Sequence, residues 1–338
     1  MEDVLSRKRT ISLKKGGDMV AGVVEQQMPQ ELMRRLQYLL VAKAPQYYTH
    51  FDEYMLHGRD GIEEGLEWRF YLGLLDNQLV GNICTWEYRG IGILGHVYTS
   101  DSARGKGVAT ALMEMVRDDF GTRGGRIMEL NTHPGTTAHR IYSRFGFKDT
   151  AEVPGAMILE TVPGTLDSLF EAEDSRIVPL EWRHWPTLNL LTLQGEGEFI
   201  RSVATNLYGP GDMEGRLIRV RAAQAKGRIP ACVMKVLENE AGTALGLGTV
   251  LPDPNFGALG THQVLDLFIH PKWRHLEADL AKACASEWAG DLLCYRSEPA
   301  EWFEEFGFNR TGTIPGAANS QDVMIWVRRP TGAKGNSK

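Results

Sequence analysis

Leu32, Leu36, Leu39 and Leu40 recur at the three- and four-residue spacing of a helix with one apolar face. Downstream the period becomes that of strands. Trp68 to Leu75 and Leu79 to Glu87 are β-rich runs separated by Asp76-Asn77, a pair of turn formers that predicts a hairpin. Gly92 to Thr99 predicts a third strand, followed by the polar turn Ser100-Asp101-Ser102-Ala103. The chain then passes through Arg104-Gly105-Lys106-Gly107-Val108-Ala109 into a helix with Ala111, Leu112, Met115 and Val116 as its apolar stripe. Arg126 to Asn131 predicts a strand, Thr136 to Phe145 a helix and Met157 to Val162 a closing strand. This order predicts a mixed α/β domain on one central sheet. The first eighteen residues lack the pattern. Arg7, Lys8, Arg9, Lys14 and Lys15 with Gly16-Gly17 predict a mobile basic tail, and residues 330–338, polar and rich in glycine, predict another.

The second half repeats the first. Gly146-Phe147 and Pro154-Gly155-Ala156 return as Gly307-Phe308 and Pro315-Gly316-Ala317, an offset of 161 in both cases (307 − 146 and 315 − 154). Two matches at one offset point to duplication. Arg104 and Arg274 are 170 apart, so the later copy is nine residues shorter between its loop and its final helix. The predicted organisation is two tandem α/β domains, 19–165 and 176–329, each a mixed central sheet flanked by helices. The acidic stretch between them, with Asp167, Glu171, Glu173 and Asp174, predicts a short linker helix.

Composition narrows the function. The 338 residues carry 37 Lys and Arg against 43 Asp and Glu, a net charge of −6, which disfavours a nucleic-acid partner and its need for a basic stripe. Cys84, Cys232, Cys284 and Cys294 contain no CxxC pair, so neither a structural zinc site nor a disulfide framework is expected. No apolar run reaches the roughly 18 residues of a membrane helix, and no signal-peptide core opens the chain, so a cytoplasmic protein without a membrane partner is expected. Monomer and homodimer both stay open.

A glycine loop that follows a strand and opens a helix suits a phosphate group, because its N–H groups point outward and the helix dipole favours negative charge. The Gly-Lys-Ser/Thr ending of a P-loop is absent, and so is the acidic residue of a dinucleotide fold. The loop residues, with Val97-Tyr98-Thr99 before them and Ala138, Tyr142 and Gly146-Phe147 after them, closely resemble the GNAT superfamily of acyl-CoA-dependent N-acetyltransferases. The Arg/Gln-x-x-Gly-x-Gly/Ala pattern is met by Arg104, Gly107 and Ala109, and Ala-x-x-x-Tyr-x-x-x-Gly-Phe by Ala138, Tyr142, Gly146 and Phe147. Asp101 stands where the family has proline, and Gly135 where it has asparagine.

The resemblance implies acetyl-CoA as acyl donor and a primary amine of a small molecule as acceptor. It places the coenzyme A pyrophosphate on Arg104, Gly105, Lys106, Gly107, Val108 and Ala109, and the pantetheine arm along Val97, Tyr98 and Thr99. Tyr142 takes the place of the acid that protonates the leaving thiolate. The positions where relatives carry a base are Ile93 and Gly95, which cannot take a proton. Glu87, His96 and His133 are therefore equal candidates, His96 having the wrong strand parity unless a bulge intervenes. The segment Ala44 to Met55, rich in aromatics and acids, would wall a pocket for a cation, although Tyr47, Phe51 and Met55 also fit the buried stripe of a helix. In the second half Arg274-His275-Leu276-Glu277 replaces the loop and Phe303 the tyrosine, which implies a degenerate domain. A non-catalytic acyl-CoA-binding protein, or an enzyme acting on a protein N-terminus or lysine, are the rival readings.

Overall fold

The computed structural model describes residues 2–14, 16–25, 28–48, 64–229, 232–254 and 262–329. The chain divides into two compact units, Met1–Ser168 with Glu181–Pro186, and Leu169–Leu180 with Thr187–Lys338.

The first unit runs β1 (Ser6–Ser12), β2 (Asp18–Glu25), α1 (Gln30–Lys43), α2 (Pro45–Tyr48), β3 (Glu67–Leu75), β4 (Gln78–Tyr88), β5 (Ile91–Thr99), α3 (Val108–Thr122), β6 (Ile127–Asn131), α4 (Thr137–Arg144), β7 (Lys148–Asp149), β8 (Ala156–Glu160) and α5 (Thr165–Leu169). Its sheet has the order β1-β2-β3-β4-β5-β6-β8-β7, and every pair is antiparallel except β5 with β6. The β3–β4 hairpin closes on Asp76 and Asn77, both at positive φ (48° and 61°), the two successive left-handed residues that a tight two-residue turn needs. Strands β3 and β4 are buried on both faces, as expected of central strands covered by helices. One face carries the apolar stripe of α3, where Leu112, Met115 and Val116 pack with Ile83, Leu94, Met128 and Leu130. Helix α1 contacts β4 and β5 and buries Leu32, Leu36, Leu39 and Leu40.

The expected mobile tail at residues 1–18 is instead a strand: β1 pairs antiparallel with β2 at the edge of the sheet. Ion pairs rather than alternating apolar residues hold it. Arg7 reaches Asp119 of α3 and Glu25 of β2, and Arg9 lies 3.5 Å from Asp118. An edge strand secured by charges shows no hydrophobic period, which is why the sequence pattern missed it. The other expected tail, 330–338, lies outside the described residues.

The second unit contains β9 (Ser175–Pro179), most of α6 (Trp185–Leu193), β10 (Ile200–Ser202), β11 (Leu207–Tyr208), α7 (Glu214–Ala225), β12 (Val233–Asn239), β13 (Ala244–Pro252), β14 (Gln263–Ile269), α8 (Glu277–Ala285), β15 (Leu292–Arg296), α9 (Trp302–Glu305), β16 (Phe308–Ala318) and β17 (Gln321–Arg328). Its main sheet has the order β9-β12-β13-β14-β15-β17-β16, with β14 and β15 the parallel pair. From β2 to β7 the first sheet follows the same path, and in both the last strand in sequence inserts between its predecessor and the parallel pair. Of the two sequence matches, the first falls at equivalent places. Gly146-Phe147 and Gly307-Phe308 follow a short helix; Pro154-Gly155 turns the first unit's final hairpin, whereas Pro315-Gly316-Ala317 lies in an irregular stretch of β16 just before the turn at Asn319-Ser320. Both units are thus mixed α/β layers of one topology.

Candidate functional site

Strands β5 and β6 pair only through Ile91, Gly92 and Ile93 against Ile127, Met128 and Glu129. Beyond that point they part, and among the described residues the 94–99 edge of β5 has no strand on that side. The other edge is irregular. Asn82 faces Tyr98 and Cys84 faces Gly95, so His96 and Val97 together oppose Ile83 alone: a β-bulge. His96 sits at φ 52°, and its carbonyl accepts a hydrogen bond from Asn82 Nδ2 at 2.9 Å. A bulge does intervene at His96. Its ring is buried edge-on to Trp86 (4.9 Å between centroids) and to Tyr48 of α2 (5.3 Å), and its Nδ1 is 2.9 Å from the Tyr48 hydroxyl. Val97 packs on the core under α3. Asn82, which pins the bulge, was not among the residues the sequence pattern singled out; a lone amide in the apolar run Val80 to Cys84 was the available signal.

The glycine loop lies beyond the end of β5. Asp101–Ala103 forms a 3-10 turn, Gly105 has φ 72°, and Gly107 at φ 96° caps α3 without a side-chain hydrogen bond. The N–H groups of Gly107, Val108 and Ala109 donate to no acceptor among the described residues. These are the orphan donors of a helix start, and with the dipole they form a ready anion site. Arg104 is exposed: it pairs with Asp101 at 2.9 Å, donates from Nε to the Thr99 carbonyl at 3.3 Å and stands 5.5 Å from the Tyr98 ring centre. Asp101, where the family has proline, therefore claims part of the loop arginine. The carbonyl of Lys106 accepts the backbone N–H of Lys14 at 3.1 Å.

Tyr142 is buried on α4, in the same core as Leu94, Met128 and Val108, with its ring 6.1 Å from that of Phe147. Its hydroxyl has no hydrogen-bond partner among the described residues, and burial pushes the phenol above its ordinary range. Such a group stays protonated at neutral pH.

The structure separates the three base candidates. Glu87 faces the other way and is occupied: Arg123 donates to its two oxygens at 2.5 and 2.8 Å, and Thr85 Oγ1 donates to one of them at 2.6 Å. Buried in a network that extends through Arg69, it secures the C-terminal end of α3, and the expectation of a free base there is corrected. His133 is exposed in the turn after β6, where its carbonyl accepts from Thr136 Oγ1 at 2.8 Å. His96 alone lies on the bulge. The proposed pocket wall is described only as far as Tyr48; the rest of Ala44 to Met55 lies outside the described residues.

In the second unit, β14 and β15 also part after two pairings, Gln263 with Leu292 and Val264 with Leu293. There the opening is filled. Buried Arg296 at the end of β15 donates to Glu277 Oε1 at 2.6 Å and pairs with Glu198. Trp302 Nε1 donates to the other Glu277 oxygen at 3.4 Å. Arg274 pairs with Glu198 and Glu298 (3.2 and 2.7 Å). Phe303 stacks on Trp326 at 4.3 Å with the planes 2° apart.

Residues 67–149 match the model of the acetyltransferase (GNAT) domain. No curated protein matches the chain significantly. Similar solved structures include an acetyltransferase of the GNAT family from Staphylococcus aureus Mu50, at 12% identity over 41% of this chain and 98% of that one, with a TM-score of 0.34. The ribosomal-protein-S18-alanine N-acetyltransferase of Escherichia coli matches at 13% identity over 42% and 94%, with a TM-score of 0.35. The PaiA N-acetyltransferase of Thermoplasma acidophilum, in complex with coenzyme A, matches at 13% over 41% and 99%, with a TM-score of 0.33.

Proposed function

We propose that this chain, which carries an acetyltransferase (GNAT) domain at residues 67–149, binds acetyl-CoA at the fork between β5 and β6 and transfers its acetyl group to a primary amine of a small molecule. The observation that carries this reading is a coincidence of two unsatisfied features: an unpaired strand edge leads directly to a helix start whose first N–H groups have no acceptor. A phosphate-bearing ligand with an amide-containing arm satisfies both, the arm adding to the β5 edge as a strand would.

In this reading Arg104, Gly105, Lys106, Gly107, Val108 and Ala109 take the diphosphate, and the backbone of Val97, Tyr98 and Thr99 aligns the arm. A bulge N–H aimed at the thioester oxygen stabilises the charge that develops there as the amine adds. Amine attack needs a neutral nitrogen, yet an alkyl ammonium titrates near pH ~10. His96, its ring fixed by the Tyr48 hydroxyl, takes that proton. As the new C–N bond forms and the C–S bond breaks, the Tyr142 phenol gives its proton to the departing sulfur. The partnerless hydroxyl and the burial that keeps it protonated both support that part. The second unit, with Glu277 where the loop glycine should be, binds no coenzyme A.

Calorimetry with acetyl-CoA should saturate at one molecule per chain, and small amines added to that complex should release free thiol. Two equivalent sites would overturn the assignment of the second unit, and no binding would overturn the reading as a whole. Binding without thiol release across small amines and amine-bearing peptides would support a non-catalytic acyl-CoA-binding protein; release with peptides alone would move the acceptor to proteins. Gly107→Glu should abolish binding with circular dichroism unchanged. A side chain there has space, its Cβ coming no closer than 3.8 Å to Lys14 Cγ, but it brings a carboxylate to the phosphates.

A further inference from the structure

Strand β1 lies along α3, with Arg7 and Arg9 at the helix's C-terminal carboxylates Asp119 and Asp118. The far end of the same segment therefore comes to the helix's N-terminus. There Leu13 is buried in the core with Ala103 and Val108, and the hairpin turn closes through Leu13 N–H to the Gly17 carbonyl (3.0 Å) and Gly16 N–H to the Leu13 carbonyl (3.1 Å). Lys14, at the tip, donates its backbone N–H to the Lys106 carbonyl inside the glycine loop at 3.1 Å. Its side-chain stem lies beside Gly107: Cγ and Cδ are 3.8 and 4.0 Å from where a Cβ on that glycine would stand. No carboxylate pairs with Lys14 among the described residues, whereas Arg104 beside it is paired with Asp101.

We propose that Lys14 is a diphosphate-binding residue of this acetyltransferase, supplied by the N-terminal hairpin from outside the matched domain, and that it restores the positive charge which Asp101 withdraws from the loop. The inference rests on the acetyl-CoA reading above. Charge is the reason. A diphosphate brings two negative charges to a helix start whose arginine is half-committed, and a cation held over the first turn by its own backbone needs little ordering to meet them.

The test is calorimetric. Wild type, Lys14→Ala and Lys14→Arg are titrated with acetyl-CoA and with acetyl-dephospho-CoA, at low and at high salt. Lys14→Ala should lose about 5- to 20-fold in affinity for both ligands, the size of one lost charge-assisted contact. Its affinity should also fall less steeply with salt than the wild type's, and Lys14→Arg should keep most of the affinity. Equal affinity of Lys14→Ala and wild type overturns the role of Lys14 while leaving the acetyl-CoA reading intact; failure of the wild type to bind overturns both. A loss seen with acetyl-CoA but absent with the dephospho ligand would move Lys14 to the 3′-phosphate and overturn its assignment to the diphosphate.

Discussion

The two sheets fork at the same place and differ in what fills the opening. In the first unit, β5 is bulged at His96-Val97, its edge is free from Leu94 onward, and the glycine loop beyond leaves the start of α3 bare. In the second, β13 and β14 pair in unbroken register from Gly246 with Ile269 to Pro252 with Gln263. There the fork is closed by the chain itself: Ile200 of β10 and Val203 in the turn after it pack in one cluster with Val264, and Asp266 accepts from Ser202 Oγ and from the N–H groups of Val203 and Ala204, each at 2.9 Å. Glu277 and Arg296 satisfy each other where the first unit leaves donors for a ligand. On the reading proposed above, the open fork would be a binding site because it is left unsatisfied. The same topology would be inert once its spare backbone and charged groups find partners within the chain.

Breaking the second unit's plug should give the largest effect. Arg296→Ala leaves Glu277 and Glu198 without their buried counter-charge, which should cost about 3–5 kcal/mol in denaturant unfolding of that unit. An unchanged unfolding midpoint would show that the fork is held by packing alone. The first unit should respond in chemistry instead of stability. Tyr142→Phe removes only a hydroxyl that bonds to nothing among the described residues, so turnover should fall about 100- to 1000-fold while acetyl-CoA affinity and melting temperature hold. Wild-type turnover in that variant would mean that the thiolate leaves without this acid.

The smallest effect concerns Asp266, whose carboxyl burial pushes up to about 6 from an ordinary 3.8. A carboxyl with a raised pKa favours the folded state in its protonated form. Its contribution is therefore complete below about pH 4 and is lost as pH rises through about 6. Asp266→Asn cannot ionise, so hydrogen exchange of the β14 amides should show a stability difference between about pH 4 and pH 7 that is smaller by roughly 2–3 kcal/mol than in wild type. Parallel pH profiles for the two proteins would place the titration elsewhere.

Much of this was written in the order of residues. Alternation, turn pairs and glycines predicted β3 through β6 with α3 and α4, because each of those elements is a short apolar run or stripe bounded by turn residues and its signal is local. The glycine loop, Tyr142 and the altered loop of the second half could be singled out because glycine and a phenol at fixed spacing have few substitutes. Three matters were settled only by tertiary structure. Glu87 and His96 looked alike in sequence; one meets Arg123 at the end of α3, and the other rides a bulge whose position depends on pairing with β4 and on the amide of Asn82. The N-terminal segment reads as a basic tail by composition, since edge pairing and ion pairs to α3 have no periodic signature. And Lys14 reaches the glycine loop because β1 spans the length of α3, a juxtaposition of residues about ninety positions apart that no local pattern encodes. The sequence by itself determined the elements from β3 to α4 and the loop proposed to take phosphate; long-range pairing decided the N-terminal strand and which charges are already satisfied, because the partner of a charged group lies wherever the sheet brings it.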